Sequence, residues 1–210
     1  MTAISAIRYE IQTDMPDCGN TQLDYGILRA ATWFCEKTFI WRETLTAIDI
    51  VADTYLYDLT PSDSDSLVHT LYHVEYDDVP IQIKSEEYFD DKYPTTNWRA
   101  LTSTTPEYCY LVKDRSQIRL VDIPDTAATG ALDVTVVLKP TRTATTVPSL
   151  LYNDYLDALV AGAKAYLLKK VEQPWANVEY AQLYDREFKM WVGMAKRDAA
   201  TAFGHIDTVD

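Results

Sequence analysis

Three stretches of the chain repeat apolar residues at steps of three and four. The first begins at Leu23 and ends near Thr38, and the other two cover residues 150–170 and 174–200. This spacing places the apolar side chains on one face of a helix. Because the first helix cannot bury that face alone, we expect it to pack beside the C-terminal pair as a three-helix bundle. The predicted bundle core contains Ile27, Phe34, Leu159 and Trp191.

Between these helices, apolar and polar residues alternate, which is typical of β-strands. Ser85 is expected to cap a short acidic helix over residues 86–91, which ends before Pro94. Strands separated by about 8–12 residues favour a sandwich or barrel over a parallel sheet. The predicted strands are a hairpin within residues 45–59 that turns near 52–54, a second hairpin over 67–76 and 79–84, a strand over 98–101, two strands over 108–113 and 117–121 that Asp114 and Arg115 join as a tight turn, and a strand over 132–138.

These patterns predict an α+β protein. Its helical bundle, made of one N-terminal helix and a C-terminal helical hairpin, carries an inserted antiparallel β-sandwich or barrel-like domain. The expected segments are 1–43 for the N-terminal segment and first helix, 44–140 for the β-domain, 141–200 for the hairpin and 201–210 for a flexible tail.

The net charge of the chain argues against one class of function. The chain has 210 residues, with 32 acidic and 19 basic side chains and a formal net charge of -13. Such a balance argues against a protein that neutralises phosphates along a nucleic acid. No basic segment followed by an apolar run opens the sequence, and no stretch approaches the ~20 apolar residues of a membrane span. We therefore expect synthesis in the cytoplasm.

Motifs for catalysis or cofactor binding are absent from the sequence. Glycine-rich phosphate loops are missing, and the acidic pairs are adjacent residues without a cleft to separate their pKa values. His69, His73 and Glu75 share one strand face, but alternate strand residues lie ~7 Å apart, so a solvated edge strand is preferred to a metal site. Cys35 lies on an apolar helix face and is expected in the core. We predict no enzyme, no metal and no cofactor.

Two segments could contact a partner. Lys164, Lys169 and Lys170 form a basic cluster near Trp175, which either is a solvated helix end or docks on an acidic protein. In the tail, Ile206 and Val209 are spaced so that they could anchor to another subunit.

One combination of features resembles a known family. The first helix carries Ala30, Ala31, Phe34, Cys35, Thr38 and Trp41, followed by strands with Tyr55 and Leu59, a hairpin ending at residues 77–80, and a late helix pair after Pro148 and Leu151. Over about residues 20–200 this order resembles head-to-tail adaptor, or connector, proteins of tailed bacteriophages.

The resemblance implies a virion structural protein of the neck, the junction between head and tail. It implies a ring, typically of twelve copies, that binds the portal protein on one side and the next tail component on the other. DNA would pass through the ring lumen without specific binding, and the acidic balance agrees with that expectation.

Two other classes remain open at this stage. A monomeric β-sandwich binding module could bind carbohydrate or a protein ligand, using Trp98, Tyr108 and Tyr110 for a sugar. A metal-dependent hydrolase would hold its ion at His69 and His73.

Overall fold

The computed structural model describes residues 1–202 of the chain, in which six α-helices accompany thirteen short and long β-strands. The helices are α1 Ile4–Gln12, α2 Asn20–Thr38, α3 Glu86–Lys92, α4 Ser149–Asp154, α5 Leu156–Leu168 and α6 Val178–Ala202. The strands are β1 Thr2–Ala3, β2 Arg42–Thr44, β3 Ile48–Ile50, β4 Leu56–Asp58, β5 Ser66–Tyr76, β6 Val79–Pro80, β7 Gln82–Ile83, β8 Thr102–Ser103, β9 Tyr108–Leu111, β10 Gln117–Val121, β11 Ile123–Pro124, β12 Ala128–Pro140 and β13 Thr146–Val147. The α+β class is confirmed. None of the helices within residues 1–202 is long and apolar enough to cross a membrane.

Contacts divide the chain into two compact units. The helical unit contains Met1–Trp41, Asp65–Leu67 and the chain from Lys139 onward, and the β-unit contains Arg42–Ser64 and Val68–Leu138. The β-unit therefore interrupts the helical unit in sequence.

Within the helical unit, α2, α5 and α6 contact one another, and α1 contacts both α2 and α5. The central side chain is Phe34, which is fully buried and lies 5.2 Å from the ring of Tyr155 and 6.1 Å from that of Phe188. Ile27 and Leu159 are also fully buried in this core, whereas Trp191 is partly buried at its edge. Apolar burial on this scale is the main force that holds short helices together.

Asp65 links two segments of the helical unit that are distant in sequence. One is its own segment, Asp65–Leu67, and the other contains Thr145 and Thr146. The Asp65 Oδ2 accepts hydrogen bonds from the backbone N–H groups of Thr145 and Thr146 at 3.0 and 3.1 Å, and from the Thr146 hydroxyl at 2.8 Å. These bonds lower the pKa of the Asp65 carboxyl, with the Thr146 hydroxyl as the largest cause.

Two predicted helices differ in their limits. The expected helix over 150–170 is broken at Tyr155, whose φ of -132° is not helical and whose hydroxyl donates to Asp198 Oδ2 at 2.9 Å. The last helix begins at Val178 rather than near Pro174, because Asn177 caps it by accepting the Tyr180 N–H at 3.1 Å. Helix α1 was not expected at all, although Ile4, Ile7 and Ile11 have helical spacing and are buried.

The β-unit is mixed rather than antiparallel. Its four-stranded sheet has the order β4-β10-β9-β7, and β7 runs parallel to β9. A second sheet contains β2, β3, β12, β5 and β6, and a small third pair, β8 and β11, is also parallel. The expectation of a wholly antiparallel domain is therefore wrong.

Individual strands had different outcomes. The β9-β10 hairpin, the β5-β6 turn at Asp77 and Asp78, and the Ser85 cap of α3 are confirmed. The hairpin within residues 45–59 is wrong, because β3 pairs with β12 and β4 with β10. The strand over 98–101 is also wrong: residues Trp98–Ala100 form a 3-10 turn that buries the Trp98 indole.

Candidate assembly surfaces

Helix α6 carries an apolar stripe that faces solvent. The stripe contains four apolar or aromatic residues, Tyr180, Leu183, Met190 and Met194, which are 58%, 56%, 57% and 36% exposed, respectively. Successive members are three, seven and four residues apart, and the half-buried Glu187 lies on the same side of the helix. We call these five residues the outer stripe. Aligned exposed apolar side chains of this kind mark interaction sites more often than isolated ones do.

The outer stripe is distinct from the face with which α6 joins the core. The core face contains Ala181, Phe188, Val192, Ala195 and Ala199, all buried. At 100° per residue, its centre lies about 130° around the helix axis from that of the outer stripe.

A glycine lies beside the outer stripe. Gly193 is inside α6, where glycine lowers helix stability relative to alanine. A Cβ added at Gly193 would have no atom within 4 Å, so packing inside the chain does not require a glycine there. At Gly162 in α5 the situation is the reverse, since an added Cβ would lie 2.9 Å from the Cβ of Ala30.

A groove of about 340 Å³ follows the face of α2 that points away from the core. Its apolar lining includes Tyr25, Leu28, Trp33, Leu67 and Pro140, and we call it the α2 groove. Tyr25, Trp33 and Leu67 are 45%, 38% and 49% exposed, although they are large and apolar or aromatic.

The α2 groove is lined by three cationic side chains, Arg29, Lys139 and Arg142, and by one carboxylate, Glu36, which pairs with Lys139 at 2.6 Å, so its charged lining is cationic overall. Arg29 and Arg142 line its rim and are exposed, and neither forms an ion pair with a carboxylate among residues 1–202. The Arg29 guanidinium lies 5.0 Å from the Tyr166 ring centre and donates to the Tyr25 hydroxyl at 3.4 Å, which lowers the Tyr25 pKa. In a chain of net charge -13, such a rim suits an acidic partner.

Comparison with known proteins identifies the kind of protein that carries these surfaces. The sequence model of a family described as SU10 adaptor protein matches residues 1–205. The chain belongs to the SU10 adaptor protein family. This membership confirms the resemblance to phage head-to-tail adaptors, and the family is one of structural adaptors rather than a known enzyme family. No curated protein matches the sequence.

The three lysines of the adaptor do not form one exposed cluster. Lys164 is buried and pairs with Asp14, so little of its surface is left for a partner. Lys169 is exposed and contacts Asp185 Oδ1 at 2.9 Å. Lys170 lies 5.1 Å from the Tyr166 ring centre. Ile206 and Val209 lie outside the described residues.

The residues considered for metal binding have other partners. In the adaptor, His73 Nε2 lies 2.9 Å from Glu75 Oε1, and His69 Nδ1 lies 3.1 Å from an Arg115 nitrogen. Among residues 1–202, no group of three or more His, Cys, Asp or Glu side chains is arranged to hold a metal. Cys35 is fully buried, and burial raises the pKa of its thiol.

The aromatic residues considered for sugar binding belong to a core. Trp98 and Tyr110 are 3% and 6% exposed and pack with Phe89, and Tyr108 is partly buried against them. The Trp98 indole N–H donates to Asp90 Oδ1 at 2.8 Å. A carbohydrate platform needs exposed ring faces, so this part of the binding-module alternative is wrong.

The outer stripe and the α2 groove were not found from the sequence of the adaptor. The signal for the outer stripe was present in the sequence, because Tyr180, Leu183, Met190 and Met194 have helical spacing. On an amphipathic helix, a second group of apolar residues is easily assigned to the core. The two groups are distinguished only when their angular positions around the helix axis are compared.

Proposed function

We propose that the chain is a ring-forming head-to-tail adaptor that joins the portal to the next tail component in the virion neck. Membership of the SU10 adaptor protein family over residues 1–205 carries this proposal. The ring contains twelve copies and encloses the channel through which DNA passes.

The charge of the chain supports the channel role. A net charge of -13 per copy makes the summed field of a ring strongly negative. Phosphates would be repelled by such a wall, so DNA could slide without being held.

The architecture that we propose is a bundle made by segments 1–43 and 141–200, with segment 44–140 inserted as a sandwich or barrel-like domain. The sequence insertion of the β-unit between the parts of the helical unit supports this arrangement.

Docking on the portal or a neighbour would use Lys169, Lys170 and the tail beyond residue 200, in which Ile206 and Val209 are the apolar anchors. Short segments with so little apolar surface gain order only on an extended partner. Truncation after Ala200 should leave the melting temperature unchanged and weaken assembly. If the truncated chain joins portal rings as well as the full chain does, the tail has no docking role.

The direct test is co-sedimentation of the purified full chain with its cognate portal at low salt, where charge contacts are strongest. We expect the chain to sediment with the portal and to remain in the supernatant without it. Absence of co-sedimentation at low salt would contradict the adaptor function.

A further inference from the structure

The outer stripe of α6 lacks a partner within the described chain. Three of its members, Tyr180, Leu183 and Met190, expose more than half of their surface. Single exposed apolar residues are ordinary, but a row along one helix face fits the helix-in-groove mode of recognition.

The α2 groove has the chemistry that this stripe requires. Its apolar lining suits the leucine, tyrosine and methionine side chains of the stripe. Arg29 and Arg142 on its rim suit Glu187, which lies at the middle of the stripe and forms no ion pair among residues 1–202. Apolar surface therefore meets apolar surface, and opposite charges meet at the rim.

We propose that the outer stripe of one copy binds the α2 groove of the next copy. This inference rests on the proposed function, in which identical copies form a ring. The stripe and the groove are different surfaces on different helices, so each copy can give one and receive the other. Such a heterologous contact closes into a ring when the rotation per copy allows it.

The size of the stripe explains how assembly would be controlled. From Tyr180 to Met194 the stripe is about 21 Å long, and a helix face about 10 Å wide gives roughly 200 Å². Stable interfaces bury about 800 Å² on each partner. The contact is therefore weak between free copies and becomes stable when another partner, such as the portal, holds the copies side by side.

Crosslinking of the full chain tests the pairing. One protein carries Met190→Cys in the stripe and another carries Leu67→Cys in the groove, both at exposed positions. The native thiols of Cys18, Cys35 and Cys109 are buried and do not compete. With a short bismaleimide, at a protein concentration high enough to populate this weak contact, the mixture should give crosslinked dimers about tenfold faster than either protein alone.

A matched control places the cysteine on another face of the same helix. Lys196 is exposed and lies about 120° around α6 from Met190, so Lys196→Cys mixed with Leu67→Cys should crosslink about tenfold more slowly. Equal rates for the two mixtures would overturn the proposal. Homodimers of Met190→Cys that form as fast as the mixed dimers would also overturn it, because the contact would then be symmetric.

Charge reversal gives a second readout. Glu187→Arg in the Met190→Cys protein should slow crosslinking about fivefold, and Arg29→Glu in the Leu67→Cys protein should restore most of the rate. Lack of restoration would contradict the assigned ion pairs. Crosslinking without portal binding would contradict the proposed function alone, and portal binding with no stripe-to-groove crosslink would contradict this inference alone.

Discussion

Two glycines inside helices provide a sharp test of the packing in the helical unit. Gly162 lies where α5 meets α2 and α6. A Cβ at this position would be 2.9 Å from the Cβ of Ala30 and 3.0 Å from two ring atoms of Phe188. Because the Ala30 Cβ is fixed to the α2 backbone, the two helices must separate to accommodate alanine.

The expected changes in the free energy of unfolding have opposite signs at Gly162 and Gly193. Alanine gains about 0.5–1 kcal/mol of helix stability over glycine at either site. Overpacking in a core costs about 1–3 kcal/mol, so Gly162→Ala should lower the free energy of unfolding by up to ~2 kcal/mol. Gly193→Ala meets open space and should raise it by about 0.5–1 kcal/mol.

Thermal unfolding followed by circular dichroism measures both effects. For a chain of this size, about 2–4 °C in melting temperature corresponds to 1 kcal/mol. Gly162→Ala should melt below the parent and Gly193→Ala above it. Stabilisation by both substitutions would refute the close approach of α5 and α2.

Three further predictions concern the core, the half-buried carboxylate of Asp65 and the thiols. Phe34→Ala should cost about 3–5 kcal/mol in urea unfolding, whereas Tyr9→Ala, at a 72% exposed site, should change stability by less than about 0.5 kcal/mol; similar losses would exclude Phe34 from the core. Folding lowers the pKa of Asp65. The carboxylate therefore contributes its full stabilisation above the pKa of the unfolded chain, about 4, and loses it as the pH falls through the folded pKa. In Asp65→Asn, the melting temperature should fall less between neutral and acid pH than it does in the parent protein. Burial raises the pKa of the Cys109 thiol to about 12 and also raises that of Cys35, so a thiol reagent at pH ~8 should label neither until the protein is denatured, and rapid labelling of the native chain would contradict their burial.

Elements determined by local signals could be predicted from the sequence. Helix α2 follows from the spacing of its apolar residues, and α3 follows from the Ser85 cap and the acidic first turn. The β9-β10 hairpin was found because its two strands are joined by a short polar turn.

Pairing between distant segments could not be predicted in the same way. Strands β3 and β4 are neighbours in sequence, but each pairs with a strand more than fifty residues away. Nothing in their own residues identifies β12 or β10 as the partner. Tyr155, at which the predicted helix breaks, likewise donates its hydroxyl to a residue that is distant in sequence, Asp198.

The candidate surfaces show a similar limit. The outer stripe could have been found from the spacing of α6, whereas the α2 groove depends on Leu67, Pro140 and Arg142, which reach α2 only through the fold. The burial of Lys164 also depends on the fold, because its partner, Asp14, lies 150 positions away.

The most direct test of the adaptor role is a mass measurement of the intact portal ring before and after addition of the chain. The account predicts that the portal gains mass in increments of 23.9 kDa and that a single species with a complete ring of copies dominates at saturation. A portal whose mass does not change at low salt, or one that gains only scattered single copies at saturation, would contradict the account.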